Sequence, residues 1–191
     1  MDTILIVANS DKDNEDILKY LKPWGAFNIV YAKNNIEARK ILTEREFDIV
    51  IISVVFLDEL SSEIATLAGT TGRAGVICLL KNEIDIHVAS KLESHGILMV
   101  YSPITKKDFN FAFKTASAMN HRLLEMEREI SKLRKNLEEL KIISRAKITL
   151  VHHLKFDEEK AHKYIEKQAM DNRLTRKEVA KKIINFYRQK K

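Results

Sequence analysis

Five short apolar runs recur through the first hundred residues: Ile4 to Ala8, Phe27 to Ala32, Ile49 to Val55, Gly75 to Leu80 and Ile97 to Tyr101. Runs of this length read as fully buried strands of a parallel sheet. Between them lie segments with helical spacing, Asp13 to Leu21, Ile36 to Thr43, Leu60 to Ala68 and Ile84 to Ser94, with another opening after Thr105. Strand and helix alternating in this way demand right-handed crossovers, with helices on both faces of the sheet. The expected class is α/β, a flavodoxin-like doubly wound five-stranded parallel sheet, although the strand order itself is not written in the sequence.

A second periodicity follows. From Ala116 the apolar residues fall at alternating three and four spacing: Ala116, Met119, Leu123, Met126, Ile130, Leu133, Leu137 and Leu140, then the polar Ser144. An average of 3.5 residues, uninterrupted by Gly or Pro and with charged residues between, is the seam of a left-handed coiled coil. Ala116 and Met119 are expected to pack back on the sheet. Beyond Leu123 the helix has outrun it, because Leu123 to Ser144 spans roughly 32 Å at 1.5 Å per residue. A parallel homodimer joined through Leu123, Met126, Ile130, Leu133, Leu137 and Leu140 is the simplest way to bury the seam, and an intramolecular hairpin is the rival.

Charge divides the chain of 191 residues along similar lines. Residues 1 to 120 carry thirteen Lys and Arg against sixteen Asp and Glu, residues 121 to 139 hold five of each, and residues 140 to 191 hold fifteen against six. A mildly acidic head and a tail of net +9 point to separate tasks, the tail's being a polyanion. The expected domains are 1–118, 119–144 and 145–191. No apolar run approaches the roughly 18 residues of a membrane span, and Asp2 stands where a secretory leader would be basic. Cys78 is the single cysteine, which rules out an internal disulfide and a thiolate metal site. The chain reads as soluble and cytoplasmic, with no membrane partner. No nucleophile-base set, phosphate loop or metal motif is visible, so neither catalysis nor a cofactor is expected. His152 and His153 are adjacent in a helix and diverge by about 100°, which argues against a shared metal.

In the tail, the rod runs on through Ile142, Ile143, Ala146, Ile148, Leu150 and Val151 to about Leu154. Asp157 then caps a helix reaching Asn172, with Ala161, Tyr164, Ile165, Gln168 and Ala169 on one face. Thr175 and Glu178 form a capping box for a third helix with Val179, Ile183 and Phe186 as apolar positions, Ala180 and Ile184 beside them. Over residues 140 to 188 this pattern resembles the ANTAR module, an RNA-binding unit of bacterial transcription antiterminators. The resemblance rests on Ala146-Lys147 in the first helix, Ala161, Tyr164-Ile165 and Gln168-Ala169-Met170-Asp171 in the second, and Glu178-Val179-Ala180 in the third. The family often has glycine after the Ala-Lys pair, where this chain has Ile148.

The head resembles the receiver domain of bacterial response regulators over residues 1 to about 118, through Ile4-Leu5-Ile6-Val7, Phe47-Asp48-Ile49-Val50-Ile51-Ile52 and Ser102-Pro103. A receiver holds magnesium on two carboxylates after its first strand, phosphorylates an aspartate after its third, and answers with a hydroxyl and a lysine. The matching positions here are Ala8 and Asn9, Ser53, Leu80 and Ser102, and every one departs from the pattern. Magnesium demands oxygen ligation with carboxylate charge, so aspartyl phosphorylation in this pocket is not expected. Asp11, Asp13 and Asp58 could be invoked as substitutes, yet Asp11 and Asp13 read as the cap region of the first helix.

Together the two resemblances imply a receiver-like sheet, a long coiled-coil helix and a small three-helix C-terminal bundle, acting as a transcription antitermination regulator. The implied partner is RNA, a pair of hairpins in a nascent leader transcript whose binding disfavours a competing terminator. Family members lacking the phosphoacceptor imply a sensor protein that holds the pseudo-receiver; activity set by expression level fits equally. Sequence reading of RNA uses stacking on aromatics and arginines, with lysines on phosphates. The candidate contacts are Arg145, Lys147, His162, Lys163, Tyr164, Lys167, Arg173, Arg176 and Lys177, with Tyr164 placed equally well in the core. A DNA-binding response regulator and a coiled-coil adaptor without nucleic-acid readout are the alternatives.

Overall fold

The computed structural model describes residues 2–54, 59–71 and 74–189; Val55 and Asp58 lie outside the described residues. The chain divides into two compact units, Met1–Met126 and Glu127–Lys191.

In the first unit the strands β1 (Thr3–Ala8), β2 (Asn28–Ala32), β3 (Ile49–Val54), β4 (Gly75–Leu80) and β5 (Leu98–Tyr101) form one sheet in the order β2-β1-β3-β4-β5. Every neighbouring pair is parallel. This is the flavodoxin-like order, which the sequence alone left open. Helices α1 (Asp11–Leu21), α2 (Asn35–Glu44), α3 (Glu59–Thr71) and α4 (Ile86–Ser94) fill the crossovers, and α5 (Lys106–Leu154) follows β5.

Period-two alternation sends successive strand residues to opposite faces. Leu5, Val7, Val50, Ile52, Val76, Cys78 and Leu80 pack against Ala38 of α2, Ile64, Ala65 and Ala68 of α3, and Leu92 of α4. Ile4, Ile6, Ile49, Ile51, Ile77 and Leu79 pack against Ile17 and Leu21 of α1 and Phe109, Ala112, Phe113 and Ala116 of α5. Burial of Cys78 pushes its thiol up to about 12, so it is an inert core residue.

The beginning of α5 is seated by close approach as well as by rings. A Cβ on Gly75 would stand 2.5 Å from the Ala116 carbonyl oxygen, so glycine is what lets this helix lie on β4. Tyr20 stacks on Phe109 at 4.9 Å, and the Trp24 indole donates to Asn110 Oδ1 at 3.1 Å. Ala116 is buried as expected, whereas Met119 remains 39 % exposed, lying over Gly96 without entering the core. Ser10 is the cap of α1, its Oγ accepting from the Asp13 N–H at 3.1 Å; Asp11 and Asp13 belong to the first turn.

The second unit contains the remainder of α5, α6 (Glu158–Asn172) and α7 (Arg176–Arg188). Its core draws on Ile143, Ala146 and Leu150 of α5, Ala161, Ile165 and Ala169 of α6, and Val179, Ala180 and Ile183 of α7. Three alanines, Ala146, Ala161 and Ala180, are fully buried and allow the helices to approach closely. Ile148 is 65 % exposed, so the departure from glycine there leaves the core untouched. Phe186 is a correction to the expected apolar stripe: it is 53 % exposed, and Tyr187 packs against the core.

Candidate nucleic-acid interface

The bundle's helix ends are pinned locally. Asp157 accepts from the Lys160 N–H at 2.7 Å to open α6. Thr175 and Glu178 cap each other's backbone at the start of α7, and the N–H and hydroxyl of Thr175 hold the Glu178 carboxyl below its ordinary range. Arg173 ends α6 in the left-handed region at φ 53°, its N–H donating to the Ala169 and Met170 carbonyls. A non-glycine residue there costs on the order of 1 kcal/mol and fixes the α6–α7 corner.

On this frame Arg145, Lys163, Lys167, Arg173 and Arg176 are exposed, while Lys147, His162 and Lys177 are half-buried. Lys147 Nζ pairs with Glu158 at 2.7 Å, and that contact holds the Glu158 carboxyl below its ordinary range. Glu166 is shared by His162 Nε2 at 3.3 Å and Arg176 Nη1 at 3.4 Å. Lys163 pairs with Glu159 at 2.6 Å, and Lys177 stands 3.9 Å from Glu138. Among the described residues Arg145, Lys167 and Arg173 make no ion pair. Exposed pairs of this kind are worth little, so these cations can trade carboxylate for phosphate at small cost.

Lys147, His162 and Arg176 also rim a groove of about 580 Å³ floored by Leu140 and Ile143. Helical spacing did not reveal this grouping, because it joins three different helices. Tyr164 is 36 % exposed and meets Phe156 edge-on at 5.8 Å, so it serves the bundle and reaches the surface. Lys160, absent from the expected set, lies 4.7 Å over the Phe156 ring.

Along α5 the seam residues Leu123, Met126, Ile130, Leu133, Leu137 and Leu140 are all 46–66 % exposed. No group of three or more His, Cys, Asp or Glu side chains that could hold a metal occurs among the described residues. No helix among them is long and apolar enough to cross a membrane.

The positions singled out by the receiver resemblance lie at the ends of β1, β3 and β4 and just after β5. Ala8 and Ser53 are register partners at the ends of β1 and β3, both nearly buried, with Asn9 exposed beside them. Leu80 is buried, and its carbonyl accepts from the Ser102 N–H at 2.8 Å. The nearby carboxylate of Asp13 is taken by Lys81 Nζ at 2.9 and 3.0 Å. Magnesium needs several oxygens with carboxylate charge, and among the described residues Ala8, Asn9 and Ser53 supply no carboxylate.

Residues 131–184 match the family model described as ANTAR domain. The first unit is similar in fold to solved receiver domains. A response regulator receiver domain protein from Clostridium thermocellum is 20 % identical, with a TM-score of 0.55, covering 64 % of this chain and 99 % of that one. A signal receiver domain of an HD domain-containing protein from Pseudomonas fluorescens Pf-5 is 18 % identical, with a TM-score of 0.54 and coverage of 63 % and 98 %. A signal receiver domain of a two-component histidine kinase from Clostridium thermocellum is 13 % identical, with a TM-score of 0.53 and coverage of 61 % and 97 %. A comparison with curated proteins finds no match. The chain thus carries an ANTAR domain, at residues 131–184, fused to a receiver-like α/β fold.

Proposed function

We propose that this protein is an RNA-binding transcription antitermination regulator. The observation that carries the reading is the ANTAR match at residues 131–184, on a bundle whose charge is strongly positive. In this reading Arg145, Lys147, His162, Lys163, Tyr164, Lys167, Arg173, Arg176 and Lys177 engage paired hairpins of a nascent leader transcript. Bound hairpins are stabilised against a competing terminator, and transcription continues.

Two copies join through Leu123, Met126, Ile130, Leu133, Leu137 and Leu140, so that each bundle takes one hairpin. Half-exposed leucines at heptad spacing support that arrangement. Residues 1–118 act as a control module, 119–144 as the dimerisation helix and 145–191 as the reader. Control does not pass through aspartyl phosphate, given Ala8, Asn9 and Ser53; a sensor protein seated on the pseudo-receiver is the input, and the site of action is the cytoplasm.

Filter binding of a stem-loop RNA against duplex DNA of equal length, across a salt series, tests this. Preference for the RNA that persists as salt rises is expected. Equal affinity for both at every salt would reduce the tail to nonspecific charge and remove the reading.

A further inference from the structure

Four rings touch in succession at the end of the bundle where α5 and α7 finish. His152 meets His153 edge-on at 4.8 Å, His153 lies flat on Tyr187 at 4.5 Å and 17°, and Tyr187 meets Phe186 edge-on at 5.1 Å and 89°. Tyr187 is anchored against the bundle core, while both histidines and Phe186 are exposed. The chain of contacts therefore runs from a fixed ring outward to exposed ones.

The outer members stand outside the bundle's hydrophobic core. The buried face of α7 is already filled by Val179, Ala180 and Ile183, and Phe186 adds a ring that is 53 % exposed. The two histidines lack a third ligand among the described residues, which sets a metal aside. Lys155 and Arg188 flank the rings in sequence, within a segment of net charge +9.

Half-exposed aromatic faces supported from behind, with cations alongside, are complementary to an unpaired base and its phosphate. Each base has a π-face to offer, and stacking needs no particular hydrogen-bond pattern. We infer that His152, His153, Phe186 and Tyr187 form a stacking platform for unpaired RNA bases, separate in sequence from the Arg145–Lys147 and His162–Lys167 contacts. The inference rests on the RNA-binding reading above. It adds a division of labour, in which the cations hold the stem backbone and the platform holds loop bases.

The test uses the full-length chain and two labelled stem-loop RNAs with one stem, closed by six adenosines or by six abasic ribose residues. Wild type is expected to bind the adenosine loop more tightly. Phe186→Ala and His152→Ala should each lose about 5- to 150-fold on the adenosine loop, the range for one stacked base, and little on the abasic loop. Phe186→Trp should restore the preference, and circular dichroism should report an unchanged helix content in all variants. 2-Aminopurine in the loop should be quenched by wild type and not by Phe186→Ala.

A wild-type preference for the adenosine loop that survives both alanine variants overturns the platform and leaves the RNA reading intact. A wild type indifferent to the two loops, yet still preferring RNA to duplex DNA, does the same. Failure of wild type to prefer either RNA over duplex DNA removes the RNA reading and the platform with it. Binding to phosphatidylserine vesicles that Phe186→Ala abolishes, with adenosine-loop binding unchanged, would assign the rings to a lipid surface instead.

Discussion

Replacing Leu133 and Leu137 with lysine should turn the proposed dimer into a monomer. The two leucines are 60 % and 55 % exposed, so rather more than half of each is available to a second copy. Complete burial of a leucine is worth about 1.5–3 kcal/mol, which leaves on the order of 1 kcal/mol per residue to be gained on pairing. Two positions on two chains amount to about 4 kcal/mol, or about three decades in dissociation constant, before any penalty for placing ammonium groups in the seam. Neither leucine belongs to the core of either unit, so folding should survive the change. Sedimentation equilibrium across a concentration series reads the outcome, with circular dichroism confirming retained helix. A double variant that dimerises with wild-type affinity would refute the seam as the interface.

Gly75→Ala places a methyl group 2.5 Å from the Ala116 carbonyl oxygen, and the resulting shift of α5 against β4 should cost about 1–3 kcal/mol. A lowered Tm for the α/β unit checks it, and an unchanged Tm would mean that α5 is not held there. Thr175→Ala removes the cap of α7 and should cost about 1 kcal/mol, read by chemical denaturation. Because the folded Glu178 carboxyl is held below its ordinary value, its contribution is present at neutral pH and is lost as pH falls below about 4.5; Glu178→Gln should flatten that acid dependence. Incubation with a small-molecule phosphodonor and magnesium should leave the intact mass unchanged, and a stoichiometric, labile single-phosphate adduct would contradict the account of the Ala8, Asn9 and Ser53 pocket.

The sheet was legible because both of its faces are covered, so each strand is written as a nearly continuous apolar run such as Ile49 to Val54. Strand order was not, since one such run pairs with another without a signature; the position of β1 between β2 and β3 emerges only in three dimensions. The caps Asp157 and Thr175 were readable because capping is local. At α1 the neighbouring Asp11 and Asp13 drew attention away from Ser10, whose Oγ makes the bond.

Long-range pairing was the harder part. Asp13 with Lys81, and Glu166 with Arg176, depend on the folded arrangement and leave no periodic trace, whereas Glu166 with His162 is an i,i+4 pair within α6. Phe186 was misplaced for a related reason. It follows Val179 and Ile183 at helical spacing, but Tyr187 competes for the same side and, stacked on His153, takes the inward place.

The most direct test of a dimer that reads two hairpins is a titration of full-length protein with a twin-hairpin RNA and with each hairpin alone. The account predicts one dimer per twin-hairpin molecule and an affinity gain of about 10²–10⁴ over a single hairpin, lost in the Leu133→Lys, Leu137→Lys double variant. Equal affinity for single and twin hairpins, unaffected by that variant, would contradict it.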